Sequence, residues 1–153
     1  MREVNKIIAS YVPFRHRNIV ELLGTSMTAL EDLLIVVEYM GKGSLRSVLR
    51  NPKIDLKWHE KLHMSTDICA GIDFVHSVRS TLVSKNLTSK SVLCNNELTC
   101  KLDIFDYGRN VRDHSIPVLN FGECDIATRA PEVLMGGPIT RAAEVYALGK
   151  NAF

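Results

Sequence analysis

Between Val83 and Gly108 two short apolar segments, Val92 to Cys94 and Thr99 to Leu102, flank an Asn95-Asn96 pair, and polar stretches close both ends. Short β-prone runs around an Asn-rich pair read as a β-hairpin with a loop at each open end. Loops held on a rigid scaffold are where working residues concentrate. Any fold for this chain must therefore hold that hairpin and present its two loops.

The rest of the chain supplies helices and one strand. Val4, Ile7, Ile8 and Tyr11 recur at i, i+3, i+4 and i+7, one apolar helical face that must end by Pro13. Leu33 to Val37 is β-branched-rich and bounded by charge, which reads as a buried strand. Gly41 and Gly43 break it, and Ser44 is placed to cap a helix through Leu49. From Asp55 to His76 the positions Trp58, Leu62, Ile68, Ile72 and Val75 recur at helical spacing, with Asp55 available as N-cap. His59, His63 and His76 lie on or beside this helix, but no ligand spacing such as H-E-x-x-H accompanies them.

Composition excludes several function classes. With 153 residues, 46% hydrophobic and 24% charged, the chain reads as one soluble domain with a core. A net charge of +2 argues against a nucleic-acid partner. The longest apolar run is far too short to span a bilayer, and the start M-R-E-V-N-K has no signal-peptide core. Cys69, Cys94, Cys100 and Cys124 show no C-x-x-C spacing, so reduced structural thiols in an intracellular, cytoplasmic protein are expected and a metal site is not.

Several segments resemble eukaryotic protein kinases, in the family's order. Phe14 to Gly24, F-R-H-R-N-I-V-E-L-L-G, resembles L-R-H-P-N-I-V-x-L-L-G, and Glu38 to Leu45, E-Y-M-G-K-G-S-L, resembles the hinge of tyrosine and tyrosine-kinase-like kinases. Ser84-Lys85-Asn86-Leu87 with Ser91 stands where the catalytic loop H-R-D-L-x-x-x-N belongs. Counting on without a gap, Lys101-Leu102-Asp103 matches K-I-x, and Ile104-Phe105-Asp106 falls on the metal-binding D-F-G. Asp125 to Glu132 resembles T-R-W-M-A-P-E without its Trp-Met, and Pro138 to Gly149 resembles P-x-T-x-x-S-D-V-Y-S-F-G, with Glu144 replacing the Asp that braces the catalytic loop. Asp67 to Ser77 resembles the helix that ends in L-H-S before that loop.

The resemblance implies an α+β, protein-kinase-like fold, present in part: the end of the small lobe and the first half of the helical large lobe. It divides the chain into a small-lobe helix and two strands (1–37), a hinge (38–43) and a large-lobe portion (44–153) that ends within a buried helix. The phosphate loop, the strand lysine and the last helices are expected to be missing, and with them the arginine that usually pairs with Glu132. The hinge backbone at Glu38 and Met40 would face an adenine, with Val37 as gatekeeper. Glu3 would be the helix glutamate, although its spacing to Arg15-His16 is about four residues longer than the family pattern. The alternative for Glu3 is a helix-start carboxylate favoured by the macrodipole.

The chemistry implied is impaired. Phosphoryl transfer needs a carboxylate at the base position and hard oxygen ligands for magnesium. Here the catalytic positions carry Asn86, Lys85 and Ser91, and Ile104 occupies the metal-ligand position beside Phe105. The expectation is a pseudokinase with no cofactor and weak or absent ATP binding. It would act on a protein partner, with another kinase domain among the candidates, as a binding, allosteric or scaffolding module in signalling. Two alternatives stay open: an active kinase that uses ATP and magnesium through Asp106-Tyr107-Gly108 in a shifted register, and a truncated fragment without independent function.

Overall fold

The computed structural model describes residues 11–28, 33–78, 87–104 and 126–151. Two antiparallel strands come first, β1 (Leu22–Met27) and β2 (Leu33–Val37), with a bulge between Leu22 and Gly24. A second sheet has three short strands in the order β3 (Gly43–Ser44), β4 (Val92–Cys94) and β5 (Cys100–Leu102). The helices are α1 (Leu45–Arg50), α2 (Trp58–Val78), α3 (Pro131–Leu134) and α4 (Arg141–Asn151), with a 3-10 turn at Ile126–Thr128. This mixed content agrees with the α+β class that the resemblance implies.

Local chemistry explains most element ends. Gly43 turns the chain at φ 70°, a conformation costly for residues with a Cβ, and Ser44 then caps α1 as its Oγ accepts from the Ser47 amide at 3.2 Å. The Arg46 amide, another orphan donor of that first turn, bonds the Ser89 carbonyl at 2.8 Å and so ties α1 to the loop before β4. At the hairpin tip the Asn95 side chain accepts from the Glu97 and Thr99 amides, and Leu98 takes a positive φ of 64°. The turn therefore centres on Asn96 and Glu97, one residue later than expected, and β5 starts at Cys100.

Three expectations need correction. The long helix begins at Trp58, and Asp55 does not cap it: Glu60 reaches back to accept from the Lys57 amide at 2.7 Å. Its buried side is Met64, Ile68, Gly71, Ile72 and Val75, while Trp58 and Leu62 are exposed, because a 3.6-residue period carries those two off the shared arc. Second, Leu33–Val37 is a strand but not a buried one; Leu34 and Val36 are exposed while Ile35 and Val37 turn inward, the alternation of a sheet covered on one face. Third, α4 is covered on one side: Ala143 and Glu144 are buried and Ala147 and Leu148 half-buried against the core, while Val145 and Tyr146 are exposed.

The core lies between α2 and the hairpin. Ile68, Ile72 and Val75 pack with Val92, Leu102, Leu87 and Ile104. Gly71 permits the close approach: a Cβ there would stand 2.8 Å from the Asn18 carbonyl oxygen and 3.0 Å from a Leu102 methyl. The segment after Pro13 docks on the same hairpin. Ile19 bridges Leu102 in parallel, the Val20 amide bonds the Leu102 carbonyl and the Leu102 amide the Asn18 carbonyl. Buried Asn18 also donates from Nδ2 to the Cys100 carbonyl at 3.0 Å.

Candidate functional site

The ladder fixes the register at the open end of the hairpin. Val92 faces Leu102 and Leu93 faces Lys101, and the Asp103 amide donates to the Ser91 carbonyl at 3.0 Å. Ile104 thus follows directly beyond the end of β5, beside the loop that contains Ser91, and it is 2% exposed in the core that includes Leu87. Asn86, Lys85, Phe105, Asp106 and Glu3 lie outside the described residues.

Ser91 is committed to its own turn. Its Oγ donates to the Thr88 carbonyl at 2.9 Å and accepts from the Thr88 amide at 3.1 Å. A hydroxyl has one donor and two acceptor sites, so its donor and one acceptor site are taken. Beside Ile104 opens a cleft of about 510 Å³, whose walls include Phe14, Val20, Leu22, Lys101 and Ile104. The only carboxylate among its lining residues, Glu21, is paired with Arg15 at 2.9 Å. Magnesium takes hard oxygen ligands in near-octahedral array, and this wall does not supply them. Among the described residues no group of three or more His, Cys, Asp or Glu converges as a metal site.

Val37 and Met40 lie together in a small apolar cluster with Val20, Leu22, Ile35 and Leu93. The Glu38 amide donates to the Glu21 carbonyl at 3.0 Å, and the Met40 carbonyl accepts from Gly43 at 2.9 Å. Neither bond uses the Glu38 carbonyl or the Met40 amide. Sequence reasoning missed Leu93, which forms part of the cluster from β4. Its signal was available, since Leu93 alternates with inward-facing Val92 and Cys94 along the strand.

Sequence reasoning also missed what the Glu38 side chain does. It accepts from Lys101 Nζ at 2.7 and 2.8 Å and from the Glu21 amide at 2.7 Å, so one carboxylate ties the end of β2, the approach to β1 and the middle of β5. The two charges stand 63 positions apart, and no local pattern links them. Both are largely buried, and a charge-assisted bond of this kind is worth about 1.5–3 kcal/mol. Glu38→Ala should lower stability by about that amount in urea melts, and a variant within experimental error of the parent would show the tie to be idle.

A second long-range contact braces the far side. Glu144 on α4 meets His76 near the end of α2, Oε2 to Nε2 at 2.7 Å, and Arg141 donates to the His76 carbonyl at 2.9 Å. Glu132 is exposed, and its carbonyl accepts from the Gly137 amide.

The sequence pattern of the protein tyrosine and serine/threonine kinase family matches residues 2–152. Among curated proteins, the chain is 33% identical over 135 residues to "probable serine/threonine-protein kinase drkC" of Dictyostelium discoideum, covering 86% of this chain and 18% of that protein. It is 30% identical to "probable serine/threonine-protein kinase SIS8" of Arabidopsis thaliana, over 88% of this chain and 13% of the relative. A Dictyostelium protein named "probable serine/threonine-protein kinase roco8" is 34% identical over 88% of this chain and 7% of its own length. The chain thus spans less than a quarter of each of these relatives. With the pattern matched along almost its whole length and the hairpin, hinge-like turn and docked Asn18 segment folded around one core, the chain belongs to the protein tyrosine and serine/threonine kinase family.

Proposed function

We propose that this kinase-family chain is a pseudokinase that works in signalling by binding a protein partner. The observation that carries the reading is Ile104, buried among apolar residues immediately after β5, where the resemblance calls for the metal-binding aspartate. Ser91, at the second ligand position, spends its hydroxyl on Thr88. Asn86, at the position of the base, is an amide that takes up no proton at neutral pH. Loss of a general base alone costs roughly 10²–10⁴ in rate, and here the metal positions are altered with it.

The hinge-like segment supports weak nucleotide binding without magnesium. The Glu38 carbonyl and Met40 amide lie beside an apolar cluster suited to a flat ring, while Ile104 offers no ligand for a metal that would hold the phosphates. No helix among the described residues is long and apolar enough to cross a membrane. The division into small-lobe residues 1–37, hinge 38–43 and large-lobe residues 44–153 belongs to the same proposal, as does the choice of a partner that is itself a kinase domain.

A thermal-shift titration tests it. Millimolar ATP should leave the melting temperature unchanged on addition of magnesium, and Asn86→Asp alone should yield no phosphotransfer, because base and metal ligands act as a unit. A magnesium-dependent rise that disappears in Asp106→Ala would overturn the reading in favour of an active kinase in the shifted register.

A further inference from the structure

The hairpin that leads into Ser91 and Ile104 carries cysteines at facing positions, Cys94 on β4 and Cys100 on β5. The Asp103 amide bonds the Ser91 carbonyl and the Asn95 amide the Thr99 carbonyl, so 91/103 and 95/99 are hydrogen-bonded pairs. Alternation along an antiparallel ladder then makes 94/100 a non-bonded pair. Their outward-turned backbone groups agree: the Cys100 amide donates to Asp67 Oδ2, the Cys100 carbonyl accepts from Asn18, and the Cys94 carbonyl accepts from Lys42.

Facing Cα atoms in a non-bonded pair stand about 4.5 Å apart. That lies within the span a disulfide bridges, roughly 4.4–6.8 Å. The two sulfurs are 3.7 Å apart, and both residues are 0% exposed. The sulfurs also differ in character. Hydrogen bonding from Cys100 holds the Cys94 thiol below its ordinary range, against burial and the Asp67 charge, while the same contact and burial push Cys100 up.

We infer that Cys94 and Cys100 are a reversible oxidative modification site, at which a small peroxide closes a cross-strand disulfide inside the hairpin. The Cys94 thiolate attacks one peroxide oxygen, the O–O bond breaks, and the departing hydroxide takes up the proton that Cys94 released. The resulting sulfenic acid meets Cys100 sulfur; the S–S bond forms, the S–O bond breaks, and water leaves with the Cys100 proton. Two thiols and one hydrogen peroxide thus give one disulfide and two waters, with two electrons passing from sulfur to peroxide. A small dithiol reverses the step by exchange.

Burial selects the oxidant. A peroxide is little larger than water and reaches the pair through a small local opening, whereas a bulky disulfide is excluded. Exposed Cys69 has no such filter. The bridge would tie together the strands that lead to Ser91 and Asp103, and so hold their loops at a fixed separation.

Trypsin cuts after Lys90 and Lys101 and releases Ser91 to Lys101 as one peptide that contains both cysteines and neither Cys69 nor Cys124. The folded chain is treated with dilute hydrogen peroxide, unfolded in iodoacetamide without reductant, digested and weighed. The expected product is a peptide lighter by two hydrogen atoms and unalkylated, restored to the doubly alkylated form by dithiothreitol and absent from Cys100→Ala. If that variant fails to fold, the parent's peptide alone decides. Full double alkylation at peroxide doses that oxidise Cys69 overturns the inference, as do oxygen adducts without loss of hydrogen, or a link to the Cys69 or Cys124 peptide.

Discussion

His76→Leu lowers the unfolding free energy by about 1–3 kcal/mol, the cost of removing one hydrogen-bond partner from a buried carboxyl side chain. Its Glu144 partner has a side chain only 1% exposed, and His76 itself is 12% exposed, so water cannot readily replace the lost contact. A leucine of similar bulk keeps most of the packing and removes the ring nitrogens, among them the one that meets Oε2. The effect should appear in urea melts as a lower midpoint with an unchanged slope. The double variant His76→Leu, Glu144→Leu should recover much of the loss, since replacing both partners of a buried hydrogen bond by apolar groups of similar shape can be nearly neutral. A single variant as stable as the parent would show that this contact does not hold α4 to α2.

Ile104→Asp should destabilise the chain by about 1–3 kcal/mol or more, because it places a carboxylate in an apolar core. Ile104 is among the most deeply buried side chains, packed in the cluster with Leu87 and Leu102. Placing there the aspartate that the resemblance calls for therefore costs stability and should restore no activity. The decisive comparison is the melting temperature of parent and variant, each with and without magnesium and ATP. A variant that melts at the parent's temperature and gains a magnesium-dependent shift would mean that position 104 still opens onto a metal site.

How far the sequence could be read depended on whether the signal was local. The hairpin was legible because its turn residues and short strands are neighbours, and Ser44 was legible as a cap because capping acts within one turn. The side of α2 that is buried was legible only in part: Ile68, Ile72 and Val75 share an arc, but Trp58 and Leu62 are apolar residues that the fold leaves outside. Burial of Leu33–Val37 was misjudged because an unbroken apolar run hides which face is covered. The role proposed for position 104 comes from counting on from Leu87, whereas the Glu38 to Lys101 tie and the His76 to Glu144 contact join residues 63 and 68 positions apart. Pairings of that range depend on where the core brings elements together, and no period or spacing encodes them.

The bond from Asn18 to the Cys100 carbonyl closes a loop of 82 positions, and its consequence is one of timing. Contacts this distant contribute only after the chain between them has been ordered, which slows folding. On a ribosome adding about 5–20 residues per second, the segment around Ile19 is made several seconds before the strand that receives it. Throughout that interval Ile19, which ends almost wholly buried against that strand, lacks its partner and is open to any chaperone that samples nascent apolar segments.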